Sequence, residues 1–255
     1  MRRWWSLFAG VAVLLLGTQL AAAAEIKVLS AGAVGTALKA LVADYEKQGR
    51  NTVALTFGNV GQIQDKLKAG EPADIIILSK PALDDLAKAR GLAAGSAKPL
   101  GRVGMGVAVE AGAPKPNIAT PEAFKAALLA ASSIAYSDPA GGGSSGVFFD
   151  TLIQKLGIAD PIRAKAVLIR GGSAADQITQ GKAAMAVQNS SELIGVPGIQ
   201  YVGPFPAADQ NFITYSAGVA IKSGEPNVAL SFIRFITSPN AAKRWQAAGF
   251  ETAHP

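Results

Sequence analysis

The sequence predicts an α/β fold with a parallel or mixed sheet, on three observations. Short apolar runs alternate with segments of helical periodicity from residue 25 onward, the pattern of β-α units laid on one sheet. The run "IIILS" at 75–79 is almost wholly apolar, as expected of a parallel strand covered on both faces. Loops of Gly, Ser and Asn stand between strands and the helices that follow them, where open α/β sheets bind their ligands.

The elements follow in order. "EIKVLS" (25–30) reads as a strand; in "TALKALVADYEKQG" (36–49) Leu38, Leu41, Val42 and Tyr45 fall at helical spacing, and Gly49 marks the end. "TVALTF" (52–57) is a second strand, followed by a helix in "QIQDKLKAGEPAD" that Gly70 and Pro72 stop. After "IIILS", "PALDDLAKARG" (81–91) is a helix with Pro81 in its first turn, where no N–H partner is lost. "GVAVE" (106–110) is a strand, and "TPEAFKAALLAA" (120–131) a helix with Thr120 as N-cap and Pro121 at its first position. "SIAYS" (133–137) leads through "DPAGGGSS" into the helix "GVFFDTLIQKLG" (146–157). "KAVLIR" (165–170), "AAMAVQ" (183–188) and "ITYSAGVAI" (213–221) are further strands, and residues 227–249 form the closing helices.

Two strand-like segments, 101–110 and 213–222, are candidates for crossing between lobes. That reading places 25–105 with 217–255 in one lobe and 106–216 in the other. A single doubly wound sheet gives the same local pattern.

Residues 1–24 carry Arg2 and Arg3, an apolar stretch from Leu7 to Leu16, and then small residues ending in Ala22-Ala23-Ala24. This is a secretory signal peptide, with cleavage expected after Ala24. The alternative, a retained anchor, meets a run shorter than the roughly 18–20 residues that span a bilayer. The net charge is +6, and the two arginines of the leader account for part of it. That is too little for a phosphate-backbone partner, so no nucleic acid is expected, while small anions remain suitable. The chain has no cysteine and a single histidine, His254, at its end. A thiolate metal site, a cysteine nucleophile, a histidine ligand set and a Ser-His-Asp triad are thereby excluded, and no metal or cofactor is expected.

The chemistry is expected in four loops that open helices: 30–36 "SAGAVGT", 58–62 "GNVGQ", 137–146 "SDPAGGGSSG" and 170–176 "RGGSAAD". A fifth, 188–192 "QNSSE", looks similar. A helix N-terminus carries unpaired N–H groups and partial positive charge, and glycine and serine let a ligand approach the backbone. Several such termini together make an anion site from neutral groups; singly, each loop is an ordinary cap or corner. None matches a nucleotide fingerprint. Ser144 and Ser145 serve as ligand donors or plain caps, Asn59 as a donor or a turn residue. Arg170 pairs a carboxylate or lies solvated on the surface. Glu192 is a general base or a charge at a helix start; Tyr136 and Tyr215 read as core, and Asp138 as a turn residue.

The stretches "IKVLSAGAVGTALKALVADYEKQ", "KAGEPADIIILS", "SIAYSDPAGGGSSGVFFDTLIQKLGI", "GKAAMAV" and "SPNAAKRWQAAGF" together resemble periplasmic solute-binding proteins of the molybdate-binding type. The resemblance spans nearly all of the chain after the leader, in the same order. It implies the type II periplasmic binding protein fold: two α/β lobes joined by two crossover strands, with a ligand cleft between them. It also implies a monomer in the periplasm that hands a small anion, an oxyanion such as molybdate or an organic carboxylate, to the membrane subunits of an ABC importer. At the family's side-chain donor positions stand Ala33, Asn59-Val60 and Asn189, while the amide-donating loops correspond to Ser145 and Gly171-Gly172. Ser30 is offset by three from the first of these positions. "GAPKPNIATPEAFKAAL", "SIAYSD" and "ITYS" are similar to the branch that includes aconitate isomerase. That implies an alternative, an enzyme interconverting cis- and trans-aconitate by proton transfer, with Glu192 or Tyr215 as its catalytic groups.

Overall fold

The computed structural model describes residues 23–49 and 51–252. All but the last two residues of the segment read as a signal peptide, and His254, lie outside the described residues. Among these residues no helix is long and apolar enough to cross a membrane.

The chain runs β1 (Glu25–Ala31), a 3-10 turn (Gly32–Val34), α1 (Gly35–Gln48), β2 (Thr52–Gly58), α2 (Val60–Lys68), β3 (Ile75–Ser79) and α3 (Lys80–Lys88). β4 (Lys98–Glu110), α4 (Pro121–Ala130), β5 (Ile134–Ser137), α5 (Ser144–Lys155), α6 (Ala159–Arg163), β6 (Ala166–Ile169), α7 (Ala174–Thr179) and β7 (Met185–Asn189) follow. Another 3-10 turn (Pro139–Gly141) lies between β5 and α5, and a third (Ser190–Glu192), β8 (Ile199–Pro204), β9 (Phe212–Val219), α8 (Pro226–Ile236), α9 (Pro239–Ala247) and β10 (Phe250–Glu251) complete the chain. The strand order is β2-β1-β3-β9-β4-β7-β5-β6, with β8 and β10 also paired to β4.

β1 pairs β2 and β3 in parallel, and β5 pairs β6 and β7 in parallel. The two parallel sets meet through antiparallel β9 and β4. β4 is the structural pivot: residues 98–104 pair with β9, and residues 105–109 with β7. The apolar packing divides at the same place. Val103 belongs to a core that reaches from Ile26 to Phe250, whereas Met105 and Val107 belong to a separate one with Phe124, Phe149 and Phe205. The chain returns to the first core by Ile213. At this return Gln210 accepts a hydrogen bond from the Met105 N–H (2.7 Å) and donates one to the Met105 carbonyl (3.0 Å). A side chain thus acts as a short strand where β4 passes from one core to the other.

The expected strands and helices are present with ends shifted by a few residues. β4 extends the expected strand-like segment 101–110 by three residues, Lys98 to Leu100, where Pro99 breaks the apolar pattern. β8 is an element the pattern does not single out. It pairs with β4 through an irregular register, and Gly203 and Pro204 interrupt its sequence. Thr120 caps α4 as its position suggests, accepting from the Ala123 N–H at 3.2 Å.

One glycine of the 137–146 loop is dictated by packing. A Cβ on Gly146, in the first turn of α5, would overlap the Ser137 carbonyl oxygen at the end of β5. Replacing Gly146 by Ala is expected to cost about 1–3 kcal/mol through overpacking, read as a drop of several degrees in Tm. An unchanged Tm would show that α5 and β5 are free to separate.

Candidate functional site

The four expected loops share one cavity of about 590 Å³, whose lining includes Ala33, Asn59, Val60, Ser144, Ser145, Gly171, Gly172, Asn189, Glu192 and Tyr215. Ala31, Ala33, Val60 and Tyr215 of the first core line it, and Ile169, from a third apolar cluster with Ala174 and Leu193, faces them, so the cavity lies between the lobes. Two expected residues stand outside it. Ser30 is fully buried in β1, and its hydroxyl donates to the Ala31 carbonyl. The Arg170 side chain is 86% exposed and pairs with buried Asp138, Nε to Oδ2 at 3.0 Å. The loop carrying Arg170 lines the site while its guanidinium is solvated.

The helix termini differ in what they leave free. α5 begins after Gly143 with no side-chain cap, so its first amides, at Ser144 to Gly146, have no partner within the helix. The 3-10 turn Gly32–Val34 likewise starts without a side-chain cap. α2 is closed by a capping box: Asn59 Oδ1 accepts from the Gln62 N–H (2.8 Å) and Gln62 Oε1 accepts from the Asn59 N–H (2.9 Å). Asn59 is therefore chiefly a cap, and its Nδ2 donates across the cleft to the Arg170 carbonyl at 3.3 Å. In α7 the Ala174 N–H donates to Gln188 Oε1 (2.7 Å) and the Ala175 N–H to Ser173 Oγ (3.1 Å). The donors left to a ligand in that loop are those before the helix, at Gly171 to Ser173.

Glu192 closes the 3-10 turn Ser190–Glu192 and faces this space. Its Oε1 accepts from Gln188 Nε2 (2.8 Å) and its Oε2 from Asn189 Nδ2 (2.7 Å). Burial pushes its carboxyl up to about 7, against the pull of the Asn189 hydrogen bonds. Asn189 Nδ2 also reaches the Tyr215 hydroxyl at 3.4 Å, whereas Asn189 Oδ1 is buried without a partner. Burial, and then the neighbouring Glu192 carboxylate, push the Tyr215 phenol well above its ordinary range. Tyr215 therefore remains a protonated hydroxyl at the wall, as its core position suggests.

The lining includes residues that the sequence did not single out: Lys39, Phe57, Gln62, Asp176 and Gln188. Lys39 lies one turn inside α1 and its ammonium stands 5.3 Å from the Phe57 ring centre. Asp176 and Gln188 fall within two of the named loops, but only the fold shows which residues of a loop face inward.

The lobes touch around the cavity. Ser191 Oγ donates to the Ala33 carbonyl at 2.7 Å. Gly61, in the first turn of α2, packs so closely on Gly141 and Gly142 that a Cβ there would overlap the Gly141 carbonyl oxygen. The side-chain-free stretch at 141–143 thus serves closure of the cleft as well as access to amides.

Two α/β lobes, a shared pivot strand and a cleft lined by helix starts define a type II periplasmic binding protein fold. The chain belongs to the bacterial extracellular solute-binding protein family, whose model matches residues 26–251. It is 33% identical over 249 residues to an aconitate isomerase from Pseudomonas sp., covering 94% of each chain. In structure it is similar to the Azotobacter vinelandii periplasmic molybdate-binding protein, with a TM-score of 0.77 at 20% identity over 90% of this chain and 100% of that one. The sulfate-binding protein SubI of Mycobacterium tuberculosis H37Rv gives 0.72 at 21% identity over 91% and 88%. By family the chain is thus a bacterial extracellular solute-binding protein.

Two outcomes are expected from this geometry. Gly61→Ala should hold the lobes apart, weakening ligand binding at least tenfold while leaving the Tm of the unliganded protein nearly unchanged; equal affinity would show that the cleft closes without this contact. A carboxyl raised from 4.5 to about 7 binds more protons in the folded than in the unfolded state. Its contribution is therefore full below about pH 4.5 and is lost as pH rises to about 7, by on the order of 3 kcal/mol. The fall in Tm over that window should be smaller in Glu192→Gln, and an identical profile would remove Glu192 as its source.

Proposed function

We propose that this protein captures a small organic carboxylate in the periplasm and presents it to an ABC importer. The observation that carries the reading is the convergence of uncapped helix starts, at Gly32–Val34 and Ser144–Gly146, on one cavity of about 590 Å³. Unpaired amides suit a carboxylate as they suit an oxyanion. The volume favours the carboxylate, since it falls among the roughly 300–1,000 Å³ pockets that hold organic ligands. Lys39 adds a cation at the wall, and Phe57 an apolar face for a carbon skeleton.

The chain acts as a monomer without metal or cofactor, and nucleic acid is no partner. Maturation removes residues 1–24; β1 begins at Glu25, immediately after the cleavage site. Binding closes the lobes about β4 and the 206–211 return, and the closed cleft excludes water from the amides.

A second reading has its own support. The 33% identity to an aconitate isomerase coincides with a cavity carboxyl, Glu192, that titrates near neutrality, the range in which a general base works best. In that reading ionised Glu192 takes a proton from the substrate methylene and returns it, or an exchanged one, two carbons away. The Ser144–Gly146 amides hold the carboxylate on which negative charge develops.

A thermal-shift series tests the first reading. Di- and tricarboxylates should raise Tm, by an amount equivalent to about 2.7 kcal/mol at a hundredfold excess over Kd, with molybdate and sulfate inert. The reverse ranking would assign an oxyanion instead. Incubation with trans-aconitate followed by proton NMR tests the second: cis-aconitate formation that Glu192→Gln abolishes would establish an isomerase, and no conversion at high protein concentration would remove it.

A further inference from the structure

The cavity places a carboxylate beside the amides offered to an anion. Glu192 Oε1 lies 3.5 Å from where a Gly32 Cβ would stand, so the acid abuts the very turn, Gly32–Val34, whose N–H groups are uncapped. We propose that an anion binds here together with one proton, taken up from solvent by the Glu192 carboxylate, so that affinity rises as pH falls. The inference rests on the reading of this cleft as an anion site and deepens it.

Like charges sharing a cavity cannot both remain ionised cheaply, and the one that can accept a proton does so. The surroundings decide that this is Glu192. From α7, Asp176 adds negative charge at the same wall. From α1, Lys39 is the cation among the lining residues, and no ion pair ties it to Glu192. From β9, Tyr215 is held as a neutral phenol. From β8, Tyr201 is engaged with Ser190, hydroxyl to hydroxyl at 2.8 Å. β4 presents Met105 and Gly106 opposite Asn189 and Gln188, its Arg102 being paired with Glu251. The turn Gly32–Val34 contributes no ionisable group. No cation therefore holds Glu192 in its charged form; two neutral amides do. Burial has already brought its titration to about 7, and a second anion beside it raises it further.

Asn189 points the same way independently. Its Oδ1 is a buried acceptor with no donor, in a corner whose other groups, Glu192 Oε2 and Tyr215 Oη, are served by Asn189 Nδ2. Protonated Glu192 brings an O–H into that corner. It can donate to Asn189 or to the ligand carboxylate, while the other carboxyl oxygen still accepts an amide N–H.

Proton capture also bears on the two functional readings. A protonated Glu192 binds an anion well but cannot abstract a proton from carbon. Strong proton uptake on binding therefore favours transport over isomerisation at the same pH.

Isothermal titration calorimetry at pH 8, repeated in HEPES and in Tris, measures the protons exchanged, with trans-aconitate and sulfate as the two probes, both fully ionised there. Uptake approaching one proton per bound anion is expected, and Kd should rise up to tenfold per pH unit above 7. In Glu192→Gln the uptake should vanish and Kd should become flat between pH 6 and 9. Binding without uptake in the unmodified protein, or uptake that persists in Glu192→Gln, overturns the proposal while leaving anion capture intact. Uptake with sulfate but no binding of trans-aconitate upholds the proposal and removes the carboxylate reading. No binding of either probe overturns both.

Discussion

Backbone N–H groups at a helix start have no partner within the helix, and this is the constraint on which the molecule turns. Such groups must be capped by a side chain, by water or by a guest. In this protein α2 and α7 are satisfied internally, by Asn59 and by Ser173 with Gln188. α5 and the turn before α1 are left uncapped, and both open on the same cavity. An anion placed against them gains from several neutral dipoles without the desolvation of a fixed cation.

That arrangement depends on two lobes meeting closely. β4 serves both sheets, and Gln210 bridges the return beside the point where β4 changes core. Around the cavity the contacts are small or made by backbone: Gly61 on Gly141, Ser191 on Ala33, Asn59 on Arg170. Bulk at any of these points would hold the uncapped amides apart. The glycines of the 137–146 loop therefore answer to two demands, packing on Ser137 at Gly143 and Gly146, and closure at Gly141 and Gly142.

The acid in the cavity gives the site a second property. A half-buried carboxylate held by two amides is costly to keep ionised, and the cost grows when another anion arrives. Glu192 therefore links the occupancy of the cleft to its own protonation state, whatever the guest. Positioning by Gln188 and Asn189 keeps the acid in place in either state, which a freely moving surface glutamate would not achieve.

Periodicity alone located most elements, because burial of one helix face or of a whole strand writes itself into local residue order. It gave "IIILS" as β3 and Thr120 as a cap, and it placed the four glycine-serine loops at helix starts. It could not show β8 or the start of β4 at Lys98–Leu100, whose register is set by partners far along the chain and whose prolines hide the pattern. Nor could it tell which loop residues face inward. Arg170 and Ser30 look as much like ligands as Ser144 does, yet one pairs with Asp138 at the surface and the other is sealed inside β1. Lys39 carries no local mark at all. The chain order by itself determined the α/β class, the lack of histidine and thiol chemistry, and the supply of helix-opening loops. Tertiary structure decided which of those loops keep their amides free and which acid stands beside them. The physical reason is that a hydrogen bond between Gln188 and Ala174, or a contact between Gly61 and Gly141, exists only once distant segments share the same space.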